Sequence, residues 1–82
     1  MSFEILFEER AISRAAEFLA DDRDGVQQLI DAVDALADEP RPPDSSPFGS
    51  PDVHRLRVGR YRVVYEIRAD TIAVVHIGRA SA

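Results

Sequence analysis

The stretch Val53-His54-Arg55-Leu56-Arg57-Val58-Gly59-Arg60-Tyr61-Arg62-Val63-Val64-Tyr65-Glu66-Ile67 decides the fold of this chain. Two runs of alternating apolar and polar residues meet at Gly59-Arg60. A two-residue connection with glycine in its first central place is the signature of a type II′ hairpin turn. The turn sets the register: Val58 falls opposite Tyr61, Arg57 opposite Arg62, Leu56 opposite Val63 and Arg55 opposite Val64. Opposed residues project to one face of a sheet, as do residues two apart on a strand. Arg55, Arg57 and Arg62 therefore share one face, and Leu56, Val58, Tyr61, Val63 and Tyr65 share the other.

Downstream, Ala69-Asp70 reads as a short turn and Thr71 to Ile77 as a third strand, rich in Val and Ile. Simple alternation puts His76 with Ile72 and Val74, in or beside the core. Upstream, all five prolines fall within residues 39–51, which predicts a proline-stiffened loop. Before it, Val26, Leu29, Ile30, Val33, Leu36 and Ala37 form the apolar stripe of a helix that Pro40 ends. Asp24 is its expected cap, with Gln27 three residues on. The run Asp21-Asp22-Arg23-Asp24-Gly25 reads as a turn. A first helix is predicted from Glu9 to Ala20, its stripe made of Ile12, Ala15, Ala16 and Leu19. Phe3, Ile5 and Phe7 alternate as an opening strand. The order is β-α-α-β-β-β: an α+β fold with a helical hairpin packed on one face of a mainly antiparallel four-stranded sheet, as a single domain over residues 1–82.

Composition narrows the function. The 82 residues contain no cysteine, so disulfides and cysteine-ligated zinc are excluded. The two histidines and the scattered acids lack metal-ligand spacing, and no metal or cofactor is expected. No leader pattern and no apolar run of transmembrane length stand out, so the cytoplasm is the expected compartment and no membrane partner is expected. The net charge of −5 argues against nonspecific nucleic-acid binding. Its distribution argues otherwise: residues 1–54 hold 4 Arg and 13 carboxylates, whereas residues 55–82 hold 6 Arg and 2. Every basic residue is arginine, whose planar fork suits phosphate.

Arg57 opposite Arg62, with Arg55 alongside, calls for a physical reason, because opposed like charges destabilise a sheet pair. A bound phosphate supplies one, and three guanidinium groups would also stabilise the added charge of a pentavalent transition state. Arg60 in the turn and Arg79 at the end of the last strand are placed to flank such a site. An arginine-bearing face is also what an ordinary solvated sheet surface looks like, so the charges alone leave both readings open. His54 is a candidate acid or base, imidazole being the side chain that titrates nearest neutrality, although its parity points to the helix side. Tyr61 and Tyr65 read as core, and Phe48 as a loop anchor or a platform for a base.

The run Gly49 to Ile67, and within it Arg-Leu-Arg-Val-Gly-x-Tyr-Arg-Val-x-Tyr, resembles the signature of the RelE/ParE toxin superfamily. Ile30-x-x-Val33-x-x-Leu36-x-x-x-Pro40 is similar to that family's second helix and its exit. The resemblance covers nearly the whole chain in the right element order. It implies a toxin of a type II toxin–antitoxin pair: a metal-free endoribonuclease that cuts mRNA, often in the ribosome, by attack of the ribose 2′-hydroxyl on the adjacent phosphate. It also implies a cognate antitoxin as partner, with operator DNA met only through that antitoxin. By position, Arg55 and Arg57 match the family's basic pair, Arg62 its phosphate-binding arginine, and Arg79 lies near the basic pair after the last strand. The chain departs from the pattern at Ile77-Gly78-Arg79-Ala80, where Ala80 replaces the second basic residue, and no tyrosine follows. The alternative within the resemblance is a non-enzymatic member: a ParE-like gyrase inhibitor, or a weakened toxin that mainly binds its antitoxin and regulates the operon.

Overall fold

A computed structural model describes residues 2–80. It contains β1 (Glu4–Phe7), α1 (Glu9–Leu19), α2 (Arg23–Ala35), β2 (Ser45–Ser50), β3 (Val53–Val58), β4 (Tyr61–Ile67) and β5 (Thr71–Arg79). The sheet has five strands in the order β1-β5-β4-β3-β2, with β1 parallel to β5 and the other pairs antiparallel. The α+β architecture and its helical hairpin are as the sequence predicts. The strand count is not, because the proline-rich segment contributes edge strand β2. Proline donates no backbone hydrogen bond, so a strand containing Pro47 belongs at an edge. The Pro47/Ser50 irregularity in its pairing reflects that limit.

The core lies between the helices and one sheet face. Val26, Leu29, Val33 and Leu36 from the α2 stripe meet Leu56, Tyr61, Val63, Tyr65, Ile72, Val74 and Ile77. On α1 the inward residues are Ala11, Ala15 and Phe18, while Ile12 and Leu19 are 55% and 50% exposed. The stripe expected from Ile12 and Leu19 is thus rotated by one residue, about 100°, to Ala11 and Phe18, which have the same spacing, and the larger side chain, Phe18, settles which one turns inward. Helix α2 is capped by Asp22 rather than Asp24: its Oδ1 accepts from the Gly25 amide at 3.1 Å. Gln27 bonds instead to Asp31. A β-carbon on Gly25 would collide with the Asp22 carboxylate, which explains a glycine in the first turn of this helix.

The hairpin register is the one read from the sequence, from Val58 opposite Tyr61 to Arg55 opposite Val64. Gly59 has φ +58°, and no non-glycine among the described residues has positive φ, as a type II′ turn requires. Pairing of β4 with β5 shifts by one residue: Tyr65 lies opposite Val74, yet Val64 lies opposite His76. Val75 is thus an extra residue, a β-bulge, and it inverts the facing of everything after it.

Candidate anion site on the open sheet face

The face away from the helices carries two rows of side chains. Across β2, β3, β4 and β5 one row runs Ser46, Arg55, Val64, His76. The next runs Arg57, Arg62, Gly78, with the Arg57 amide donating to the Asp44 carbonyl at 3.1 Å beyond it. Arg55, Arg57 and Arg62 line a pocket of about 240 Å³ whose β2 side is formed by Pro43, Asp44 and Ser46.

Each arginine is placed by a local cause. Arg62 Nη1 donates to the Gly59 and Tyr61 carbonyls at 3.0 and 2.8 Å, so the turn itself fixes this guanidinium. Arg55 lies over the Phe48 ring, 5.2 Å from its centroid. Arg57 is exposed beside them. The ion pairs among the described residues engage Arg14, Arg60, Arg68 and Arg79, and none of the three pocket arginines. Three cations held on adjacent strands without an ion-pair partner have the chemistry to hold an anion, above all one with several acceptor oxygens. Among the described residues no cluster of three or more histidines and carboxylates converges as a metal site would.

Two of the sequence candidates stand elsewhere. Arg79 lies opposite Tyr61, on the helix side, because the bulge at Val75 reverses its facing. It pairs with Asp21 at 2.9 Å and stacks on Phe18 at 4.6 Å, with Arg14 at the same distance on that ring. The Asp21 contact raises the Arg79 pKa, with the Tyr61 hydroxyl second, and the same contact lowers that of Asp21. Arg60 bends to Asp22 at 3.0 Å. Asp22 also accepts from the Tyr61 hydroxyl at 2.7 Å. Those two donors, the tyrosine first, and the Gly25 amide hold the Asp22 carboxyl down at about 2. Burial, then the hydrogen bond to the Asp22 carboxylate, pushes the Tyr61 hydroxyl up.

His54 is on the helix side, as its parity indicates, and only 5% exposed. Its ring stacks on Tyr65, Nε2 donates to the Pro51 carbonyl at 3.2 Å, and Nδ1 lies 3.5 Å from Ser45 Oγ. This histidine holds β3 to the loop and is screened from the arginine face. Tyr61 and Tyr65 are core residues whose hydroxyls are bonded to Asp22 and the Pro40 carbonyl. Phe48 is 48% exposed on the edge strand, so it is not a loop anchor.

Sequence reasoning missed Ser46, Asp44 and His76. The first two were hidden because prolines mask the alternation of β2. His76 was assigned to the core because Ile72-Ala73-Val74-Val75 is apolar throughout, and an extra residue within such a run leaves no periodic trace.

Comparison with known proteins follows the same lines. The family described as the ParE toxin of type II toxin–antitoxin systems, parDE, matches residues 9–82. No curated protein sequence matches. The chain superposes on RelE of the archaeal RelE–RelB complex from Pyrococcus horikoshii with TM-score 0.80, at 20% identity over 96% of each chain. A mutant of E. coli RelE in the free state gives 0.78 at 24% identity, over 96% of this chain and 84% of that one. A chain of the chromosomal ParDE system of P. aeruginosa gives 0.76 at 13% identity, over 98% of both. Identities this low speak for a shared fold.

Proposed function

Because the chain belongs to the ParE toxin family of type II toxin–antitoxin systems, we propose that it is a toxin whose open sheet face binds RNA and cleaves it, as a metal-independent endoribonuclease acting on mRNA at the ribosome. The observation that carries this reading is the unpaired trio Arg55, Arg57 and Arg62 around one pocket. In the reaction the ribose 2′-oxygen bonds to the adjacent phosphorus, the bond from phosphorus to the 5′-oxygen breaks, and a 2′,3′-cyclic phosphate and a 5′-hydroxyl result. Negative charge grows on the phosphoryl oxygens as this happens, and fixed guanidinium groups stabilise that state more than the ground state. Arg62, braced by the turn carbonyls, is preorganised for this role. Phe48, with Arg55 stacked on it, offers an adjacent base an aromatic surface. Arginine stays protonated, so the trio binds and stabilises but moves no proton.

The partner is a cognate antitoxin, by analogy with RelE, which is known in complex with RelB. Acidic segments of such a protein would cover the arginine face, and β2 leaves a free strand edge for pairing.

The test is primer extension on mRNA from translation reactions given the purified, antitoxin-free protein. Discrete cleavage is expected, with Arg57→Ala reducing it by about 10²–10³. Absence of cleavage from both ribosome-bound and free RNA would sink the proposal. The family description names ParE, which favours gyrase inhibition as the second reading. A supercoiling assay separates the two: inhibition of gyrase without any RNA cleavage selects it.

A further inference from the structure

The arginine trio leaves the proposed reaction without a group that accepts the 2′-hydroxyl proton, and one remains on the same face. The bulge at Val75 turns His76 outward, opposite Val64 and in the row of Arg55. The ring is exposed. The histidine hydrogen bonds among the described residues all belong to His54, so the His76 imidazole is uncommitted.

Its direction can be read from its neighbour. A β-carbon built on Gly78 would lie 3.3 Å from His76 Nε2 and 3.9 Å from Cδ2. The ring therefore leans over Gly78, and Gly78 pairs with Arg62. The imidazole thus crosses from its own row into the row of Arg57 and Arg62. Glycine at position 78 leaves that space open, since any side chain there would press on the ring. The charged groups sharing this face are Arg55 and Arg57 on β3, Asp44 at the rim of their pocket, Arg62 and Glu66 on β4, Arg68 just beyond it, which pairs with Glu66 and Glu8, and Glu4 on β1. The Glu66 carboxylate is engaged by Arg68 at 2.9 Å, on the far side of Val64 from Arg62.

We propose that His76 is the general base of the cleavage, a catalytic residue turned toward the Arg62 side of the arginine row by the Val75 bulge and the open space above Gly78. The proposal rests on the nuclease reading and deepens it. Neutral Nε2 takes the proton of the 2′-hydroxyl as the O2′–P bond forms. The P–O5′ bond breaks, its electron pair stays on O5′, and that oxygen takes a proton from water. No oxidant, reductant or metal enters the balance. Imidazole suits the step because it exchanges protons near neutral pH, which no other side chain on this face does.

The experiment compares wild-type protein and His76→Ala as full chains on ribosome-bound and free RNA across pH 5 to 8. Binding of an uncleavable 2′-deoxy oligonucleotide is measured alongside. The wild-type rate is expected to rise with pH through the range where imidazoles titrate. His76→Ala is expected to bind the deoxy oligonucleotide within about threefold of wild type, to lose about a hundredfold or more in rate, and to lose the pH dependence. Added free imidazole should restore part of the rate. A variant that cleaves as fast as wild type, with the same pH profile, overturns the role of His76 and leaves the nuclease reading standing. A wild-type protein that cleaves neither substrate overturns the nuclease reading and this proposal with it. Because His76 is exposed, its thermal melt should match wild type, which separates loss of chemistry from loss of fold.

Discussion

Asp22 gathers the cap of α2, the Tyr61 hydroxyl and the Arg60 guanidinium on a single carboxylate. Nothing in the run Asp21-Asp22-Arg23-Asp24 distinguishes these three acids, and Asp24 is the better match to the local capping pattern. The choice falls to Asp22 because its partners Arg60 and Tyr61 lie 38 and 39 residues away. Those donors lower its pKa to about 2 in the folded chain. A carboxyl whose folded pKa is depressed contributes stability that is complete above its unfolded value and is lost as pH falls through the folded one. The wild-type melting temperature should therefore drop as pH falls from about 4 to 2. Asp22→Asn should melt several degrees lower at neutral pH and show a flatter decline across that window. Equal slopes for the two proteins would mean that other carboxyls, such as Asp21, carry the acid sensitivity.

At the scale of the element, the sequence and the structure part company on β5. A strand read by strict alternation places His76 inward and Arg79 outward. The extra residue Val75 does the reverse, so one local irregularity explains why Arg79 joins Asp21 and His76 joins the arginine face. If Val75 is the spare residue, its deletion restores regular pairing without changing the facing of anything after it. The Val75 deletion should keep a cooperative thermal transition, whereas deletion of Ile77 from the regular part of the strand should abolish it by reversing Gly78 and Arg79 and removing a core side chain. If both deletions unfold the protein alike, the bulge has been misassigned. Strand β2 was illegible for another reason: its pairing comes from β3, while its three serines, proline and glycine have little strand propensity and leave Phe48 the one strand-favouring residue.

At the scale of the whole molecule, the chain is acidic yet presents a cationic face. Acids crowd the helices and turns, and three arginines without an ion pair, Arg55, Arg57 and Arg62, gather on the opposite sheet surface. The helix side repels a polyanion, so binding is oriented as well as attractive. If only the three pocket arginines meet phosphates, the logarithm of the affinity for single-stranded RNA should fall against the logarithm of salt concentration with a slope of about −2. A slope near zero would leave the arginine face without an electrostatic role, and a much steeper one would call for cations outside the pocket. The helix side also carries the exposed Ile12 and Leu19, whose spacing on α1 equals that of the buried stripe, so the local pattern alone could not tell them apart.

Periodicity and one turn were enough to determine the class of fold, the hairpin register and the shared facing of Arg55, Arg57 and Arg62, because these follow from backbone geometry over a few residues. Contacts between distant segments decided the rest: which aspartate caps α2, where Arg60 and Arg79 point, that the proline-rich segment becomes an edge strand, and that His76 faces outward. A local pattern cannot encode a partner some 40 or 60 residues away, nor an extra residue within an evenly apolar strand, since neither changes the alternation from which facing is read.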